Sequence, residues 1–249
     1  MIDSRQLLKT FARSIFRRIG LDVRSLNYVN SEDTVVKSLL HLVNPTVVLD
    51  VGANIGQYAK RIRASGYRNT IISFEAVPSV HARLVEAAAG DPDWIVASCG
   101  ALGSESRNVE INISANTVSS SLLPMKEVHR RAAPQSTYVG KQTVSMRRLD
   151  EAIAGLITSE GDLFLKIDTQ GYEKEVLRGA SSLMARIAVL QLELSLTPLY
   201  ENAPTFSEMV SFTEGLGYEL FSLVPGFQDG RTGRLFQVDG FFSRRAMDN

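Results

Sequence analysis

Cysteine is nearly absent. Cys99 is the only one in 249 residues, which excludes an intrachain disulfide framework and any zinc module built on several cysteines. Histidine is scarce too, and His41, His81 and His129 are too scattered for an H-E-x-x-H site, so no metal is expected. No apolar run approaches the roughly 20 residues that cross a bilayer, and the opening Met1-Ile2-Asp3-Ser4-Arg5 lacks the basic start and apolar core of a secretory signal. Neither sign of charge predominates. The 27 Lys and Arg offset 27 Asp and Glu, which argues against a nucleic-acid partner held mainly through its phosphates. The expectation is a soluble cytoplasmic chain, long enough for one domain of about 200–250 residues with a substantial core.

What is present falls into two parts. Residues 1–45 read as an N-terminal helical extension. Leu7, Leu8, Phe11, Ile15 and Ile19 recur at helical spacing, with Arg5, Lys9, Arg13, Arg17 and Arg18 on other faces and Gly20 as a stop. Such a helix either packs against the body or makes peripheral contact with a membrane surface. A second helix is expected over 33–43, ending before Asn44-Pro45.

From residue 46 short apolar runs alternate with amphipathic stretches. Strands are expected at 46–51, 70–75, 94–98, 163–168 and 188–194, and helices at 56–64, 78–89, 173–186 and 206–216. Strands alternating with helices make βαβ units, and right-handed crossovers limit these to an α/β, doubly wound parallel sheet with helices on both faces. Two stretches break the rhythm. An insertion of about 104–143 holds an expected strand at 108–113, a Ser-rich loop at 116–121, Pro124 and Pro134; a strand-like 143–146 and a helix near 149–157 follow it. Loops of that length inside compact domains are usually functional or disordered, and this one is expected to wall an acceptor site. At the end, 218–224 and 235–242 read as an antiparallel hairpin.

Asp50-Val51-Gly52-Ala53-Asn54-Ile55-Gly56 lies where the first strand turns into a helix. Ligands of open α/β sheets bind outside the carboxyl ends of strands, and the helix N-terminus offers free N–H groups. Glu75, ending the second strand, can accept both hydroxyl protons of a ribose. A dinucleotide would ask for G-x-G-x-x-G, but Asn54 and Gln57 stand at the second and third glycine positions. S-adenosylmethionine (SAM) has no pyrophosphate, tolerates Asn54 beside its amino-acid end, and suits an acid such as Asp50 near its ammonium and sulfonium. The same residues also allow plainer roles: glycines shaping a tight turn, and Glu75 capping the helix that starts at Pro78.

Several motifs in order give a more specific reading. They are Asp50-Val51-Gly52-Ala53-Asn54-Ile55-Gly56-Gln57-Tyr58, Phe74-Glu75-Ala76-Val77-Pro78, Lys166-Ile167-Asp168-Thr169-Gln170-Gly171-Tyr172-Glu173, Val176-Leu177-Arg178-Gly179-Ala180 and Leu192-Glu193-Leu194-Ser195. With them stand Ser119-Ser120-Ser121, Arg148-Leu149-Asp150, Pro198-Leu199-Tyr200 and Asp239-Gly240-Phe241-Phe242. Across about 46–242 the chain resembles the FkbM family of SAM-dependent methyltransferases, apart from Ala76, where proline is common. The resemblance implies a Rossmann-like, seven-stranded class I methyltransferase sheet with its last strand antiparallel, spanning 46–249. It implies O-methylation of a sugar, glycan or polyketide-like hydroxyl. It also implies a donor site drawn from Asp50, Gly52, Ala53, Asn54, Gly56, Gln57, Tyr58, Glu75, Ala76, Cys99, Gly100 and Asp168.

A hydroxyl acceptor must lose its proton, and Asp168 is the first candidate for the base, with Glu173 and Glu193 next. Each has a structural alternative. Asp168 could hold the SAM amino group or cap a helix, Glu173 could favour a helix dipole, and Glu193 could pair with Lys166 inside its strand. His129 reads as a surface residue rather than a base on a lid, and Trp94 and Tyr58 read as core. Two rival functions remain at this stage: a non-catalytic module that keeps the fold, and a nicotinamide-dependent oxidoreductase. Homo-oligomers are compatible with either.

Overall fold

The computed structural model describes residues 31–157 and 160–244, together with Phe11, Ile15, Phe16 and Arg18, which are helical. The rest of the expected N-terminal helix lies outside the described residues. Among those described, the chain runs α1 (Glu32–Val43), β1 (Val47–Val51), α2 (Gln57–Ala64), β2 (Thr70–Phe74), α3 (Pro78–Ala88), β3 (Trp94–Val96), β4 (Ala101–Leu102) and β5 (Arg107–Ser114). It continues through α4 (Glu127–Ala132), β6 (Tyr138–Arg147), α5 (Leu149–Ala152), β7 (Leu163–Ile167), α6 (Glu173–Arg178), β8 (Ile187–Ser195), α7 (Phe206–Gly215), β9 (Tyr218–Pro225) and β10 (Gln237–Arg244).

Seven strands form one sheet in the order β3-β2-β1-β7-β8-β10-β9. All neighbours from β3 to β8 are parallel, and β10 runs antiparallel to both β8 and β9, as expected for the closing hairpin. After β1 the chain moves outward to β2 and β3, then returns to β7 on the other side of β1. That reversal is the topological switch point, and it opens a crevice at the carboxyl ends of β1 and β7.

Strand alternation assigns the core. Leu49, Ile72, Leu165, Leu190 and Phe242 face α6 and α7, whereas Val48, Ile71, Phe164, Val189 and Phe241 pack on the other face with α1, α2 and α3. Helix α1 belongs to this body: Val35, Val36, Leu39 and Leu40 are buried in the second cluster. Ser31 caps α1 by accepting the Thr34 N–H, and Asn44 closes it in a left-handed turn.

Three expectations needed correction. The helix expected at 173–186 stops at Arg178, because Asp150 takes the Ser182 N–H that a longer helix would use, at 3.2 Å. The helix expected at 149–157 is a single turn, Leu149–Ala152, ended by turns through Gly155 at φ +78°. The strand-like 143–146 extends to Tyr138–Arg147, since it pairs along the whole of β5. With β4, these strands make a separate three-stranded sheet, so most of the insertion is built structure rather than loop.

Candidate active site

The crevice is a cavity of about 450 Å³. Two rows of residues cross the sheet face at the cavity, the inner set by register and the outer two residues further along the strands. Ser73, Asp50, Lys166 and Gln191 form the inner row; two residues nearer the strand ends follow Glu75, Gly52, Asp168, Glu193 and Asp239. Period-two alternation puts both rows on the same face.

In the inner row Asp50 is fully buried, and its Oδ1 lies 3.0 Å from Lys166 Nζ. Lys166 also donates to the carbonyls of Gly52 and Val51 at 3.1 and 3.3 Å, and stands 3.9 Å from Asp168 Oδ2. Burial opposes its charge, but Asp50 and then Asp168 outweigh that and raise its pKa. The expectation that Asp50 faces a ligand's cations is therefore corrected: it lies one row below the cavity, and Lys166 already matches its charge. Gln191 accepts the Tyr58 hydroxyl at 2.8 Å and donates to Glu32 of α1 at 2.9 Å.

In the outer row the Gly52 turn comes within hydrogen-bonding range of its neighbours. A β-carbon there would lie 1.8 Å from the Asp168 carbonyl oxygen, and φ is +73°, so only glycine fits. Glu75 lines the cavity. Its Oε2 accepts the Asn54 N–H at 2.9 Å and its Oε1 the Val77 N–H at 2.8 Å, which leaves each oxygen a further lone pair. Burial raises the Glu75 pKa against the N–H groups of Val77, Asn54 and Ala76. Asn54, at φ +49°, turns its own Oδ1 to the Ile55 N–H.

Of the other residues expected at the donor site, Ala53, Gln57, Tyr58, Ala76, Gly100 and Asp168 line the cavity. Gly56 and Cys99 do not. Gly56 is the left-handed N-cap of α2 and packs under Trp94, where a β-carbon would sit 2.5 Å from the indole ring. Cys99 turns its thiol to the Ala76 carbonyl at 3.5 Å, so Gly100 reaches the cavity instead.

Among the acid/base candidates, Asp168 and Glu193 face the cavity. Glu173 is buried, and its Oε1 accepts the N–H groups of Thr169 and Gly171 at 3.0 Å each. It organises the turn after β7 and is corrected to a structural role, with burial lifting its pKa to about 7. Glu193 is bonded to Gln170 and Gln237 at 2.9 and 2.7 Å, not to Lys166 as one expectation had it. Burial and then Asp168 hold its pKa well above the carboxylate range. His129 is corrected as well: it is 4% exposed, edge-on to Tyr200 and near Phe227.

Sequence reading missed Glu32, Gln191 and Asp239, which close the far end of the cavity. Asp239 was quoted within a motif, but only the β8–β10 register places it opposite Glu193. Burial and Glu32 lift its pKa to about 7. From the Ser-rich loop Thr117, Val118, Ser120 and Ser121 line the cavity.

The model of the methyltransferase FkbM domain matches residues 50–220. No curated protein matches the chain. Among solved structures, fibrillarin of Aeropyrum pernix with natively bound S-adenosyl-L-methionine is 12% identical, with 84% of this chain and 73% of that one covered and a TM-score of 0.47. Magnesium protoporphyrin IX methyltransferase of Synechocystis PCC 6803 with bound SAM is 12% identical, with 95% and 96% covered and a TM-score of 0.45. The precorrin-6y C5,15-methyltransferase of Geobacter metallireducens GS-15 is 12% identical, with 86% and 87% covered and a TM-score of 0.47.

Proposed function

The chain belongs to the FkbM family of SAM-dependent methyltransferases, and from that premise we propose that the group it methylates is a hydroxyl on a sugar, glycan or polyketide-like acceptor. The observation that carries this reading is the wall beyond the glycine turn, where Glu32, Gln191, Glu193 and Asp239 line the cavity. Carboxyl and amide groups hydrogen-bond hydroxyls, and the lining cations Lys166 and Arg61 are already paired with Asp50 and Glu32, so neither is free to meet a phosphate-bearing acceptor.

The residues present fit the donor. Glu75 keeps lone pairs for a ribose diol, the Gly52 turn admits no side chain that would block the amino-acid end, and Gly100 lines the cavity where the base would lie. When bound, SAM supplies an electrophilic methyl group on a sulfonium. The chain's own contribution is to hold the acceptor oxygen in line with that methyl and to take its proton. Asp168 is the residue for the second task, because it faces the cavity beside the Gly52 turn, whereas the raised pKa of Glu193 favours its neutral form and suits it to hold the acceptor hydroxyl.

Calorimetry with SAM, its demethylated product and NAD, followed by transfer of labelled methyl into cell extracts, tests the reading. Binding of SAM and its product with label entering a hydroxyl is the expected result. Label on nitrogen, or on nucleic acid, would overturn the acceptor assignment.

The N-terminal segment is read as a membrane contact on independent grounds. Residues 4–21 include Arg5, Lys9, Arg13, Arg17 and Arg18 and no acid, and Phe11 is 69% exposed with Ile15 and Phe16 also exposed. Vesicles containing anionic lipid should retain the full chain and release one lacking residues 1–28; no retention of the full chain rejects it.

A further inference from the structure

Gln170 follows β7 with φ at +57°, a backbone conformation that glycine adopts at lower cost. What the long side chain does there is visible in its bonds. Its Nε2 donates to Asp168 Oδ1 at 2.8 Å and to Glu193 Oε2 at 2.9 Å. Its Oε1 accepts the Tyr200 hydroxyl at 2.6 Å, and its main-chain carbonyl accepts the Ser121 hydroxyl at 2.8 Å.

One carboxamide therefore bridges two carboxylates on adjacent strands. Its orientation is fixed chemically, because turned over it would aim its oxygen at two carboxylate oxygens. Two carboxyl groups this close disfavour each other's charge, and the N–H that Gln170 gives to Glu193 favours the charged form of that group. Gln237 adds a second donor to the same Glu193 oxygen, at 2.7 Å. The bonded oxygens are thereby drawn together, and Asp168 Oδ2 and Glu193 Oε1 are the oxygens left to meet an acceptor.

Resting on the functional reading above, we propose that Gln170 is a positioning residue of methyl transfer: it locks Asp168 and Glu193 into one unit, presents one oxygen of each to the acceptor, and ties that unit through Tyr200 and Ser121 to the loops that wall the acceptor side. The clamp acts on the carboxylates, not on the donor grip at Glu75.

The test uses the full chain labelled with ¹³C at its Asp and Glu carboxyls, with resonances assigned through Asp168→Asn and Glu193→Gln. Gln170→Leu removes all three side-chain bonds, and Tyr200→Phe removes the bond to the amide oxygen together with the longer contact of that hydroxyl to the Ser119 carbonyl at 3.4 Å. In Gln170→Leu the Glu193 carboxyl should titrate at higher pH, by about one pH unit, because a donor that favours its charged form is gone. SAM affinity by calorimetry should stay within about threefold, while labelled-methyl transfer at saturating SAM falls about 10- to 100-fold. Tyr200→Phe should move both readouts in the same direction by less. If Gln170→Leu does not fold, the Tyr200→Phe titration decides. An unmoved Glu193 titration in a folded variant would overturn the clamp. Failure of the wild type to bind SAM would instead sink the functional reading, with the titrations still reporting on the clamp.

Discussion

Lys166 and Asp50 face each other across β7 and β1 with 3.0 Å between Nζ and Oδ1, both buried, Lys166 lining the cavity and Asp50 beneath it. The pair stabilises the structure only as a pair, because either charge alone would be stranded in a low-dielectric core. Lys166→Met should cost about 3–5 kcal/mol in unfolding free energy, and the double variant Lys166→Met with Asp50→Leu should recover much of that loss. Urea unfolding of the two variants checks it; equal losses in both would show that the pair does not work as a unit.

Gly56 and Gly52 separate packing from ligand access. Gly56→Ala puts a methyl against the Trp94 ring at a residue with φ +83°, so it should destabilise by about 1–3 kcal/mol and leave SAM affinity largely intact in the folded fraction. Gly52→Ala collides with main chain at Asp168, 1.8 Å away, and should disrupt the cavity itself. Thermal melts and calorimetry on both variants compare the two effects.

The strands were legible because buried parallel strands leave continuous apolar runs such as Val47–Val51, and the glycine turn because its punctuation is local. The site was legible only in part. That Asp50 meets Lys166 depends on the register of strands 116 residues apart, and that Gln191 meets Glu32 spans 159 residues. Nothing local in the sequence encodes either. Gly56 matched a ligand motif and turned out to serve Trp94, since a glycine that admits a ligand and one that admits an indole look identical in sequence. His129 misled for the opposite reason. It sits in the basic segment Lys126–Arg131, which reads as surface, yet the short helix α4 turns it inward.

Glu75 is predicted to carry donor affinity through charge. Glu75→Gln keeps the shape but loses the acceptor pair, and loss of a hydrogen bond to a charged group corresponds to about 10- to 100-fold weaker SAM binding. The carboxyl is buried with a raised pKa, so wild-type affinity should fall as pH drops through the range just above the ordinary carboxylate value, whereas the variant should not follow. Calorimetry at a series of pH values reads both effects.

His129 should make folding sensitive to mild acid. Burial holds its imidazole down to about 4 in the folded chain, against 6.5 for an ordinary histidine, and its Nδ1 has no hydrogen-bond partner. The unfolded chain therefore binds the proton first as pH falls through 6.5, and stability drops until the folded group also titrates near 4. Between pH 7.5 and 5 the loss from this residue alone is about 2 kcal/mol. Glu173 and Asp239 act in the opposite sense, because their folded pKa values near 7 favour the folded state as pH falls. The contribution of His129 is therefore read as a difference. His129→Phe, which suits the aromatic surroundings of Tyr200 and Phe227, should lose less stability than wild type over that interval in urea titrations. Parallel pH profiles for the two proteins would mean that the buried imidazole is solvated or paired in solution.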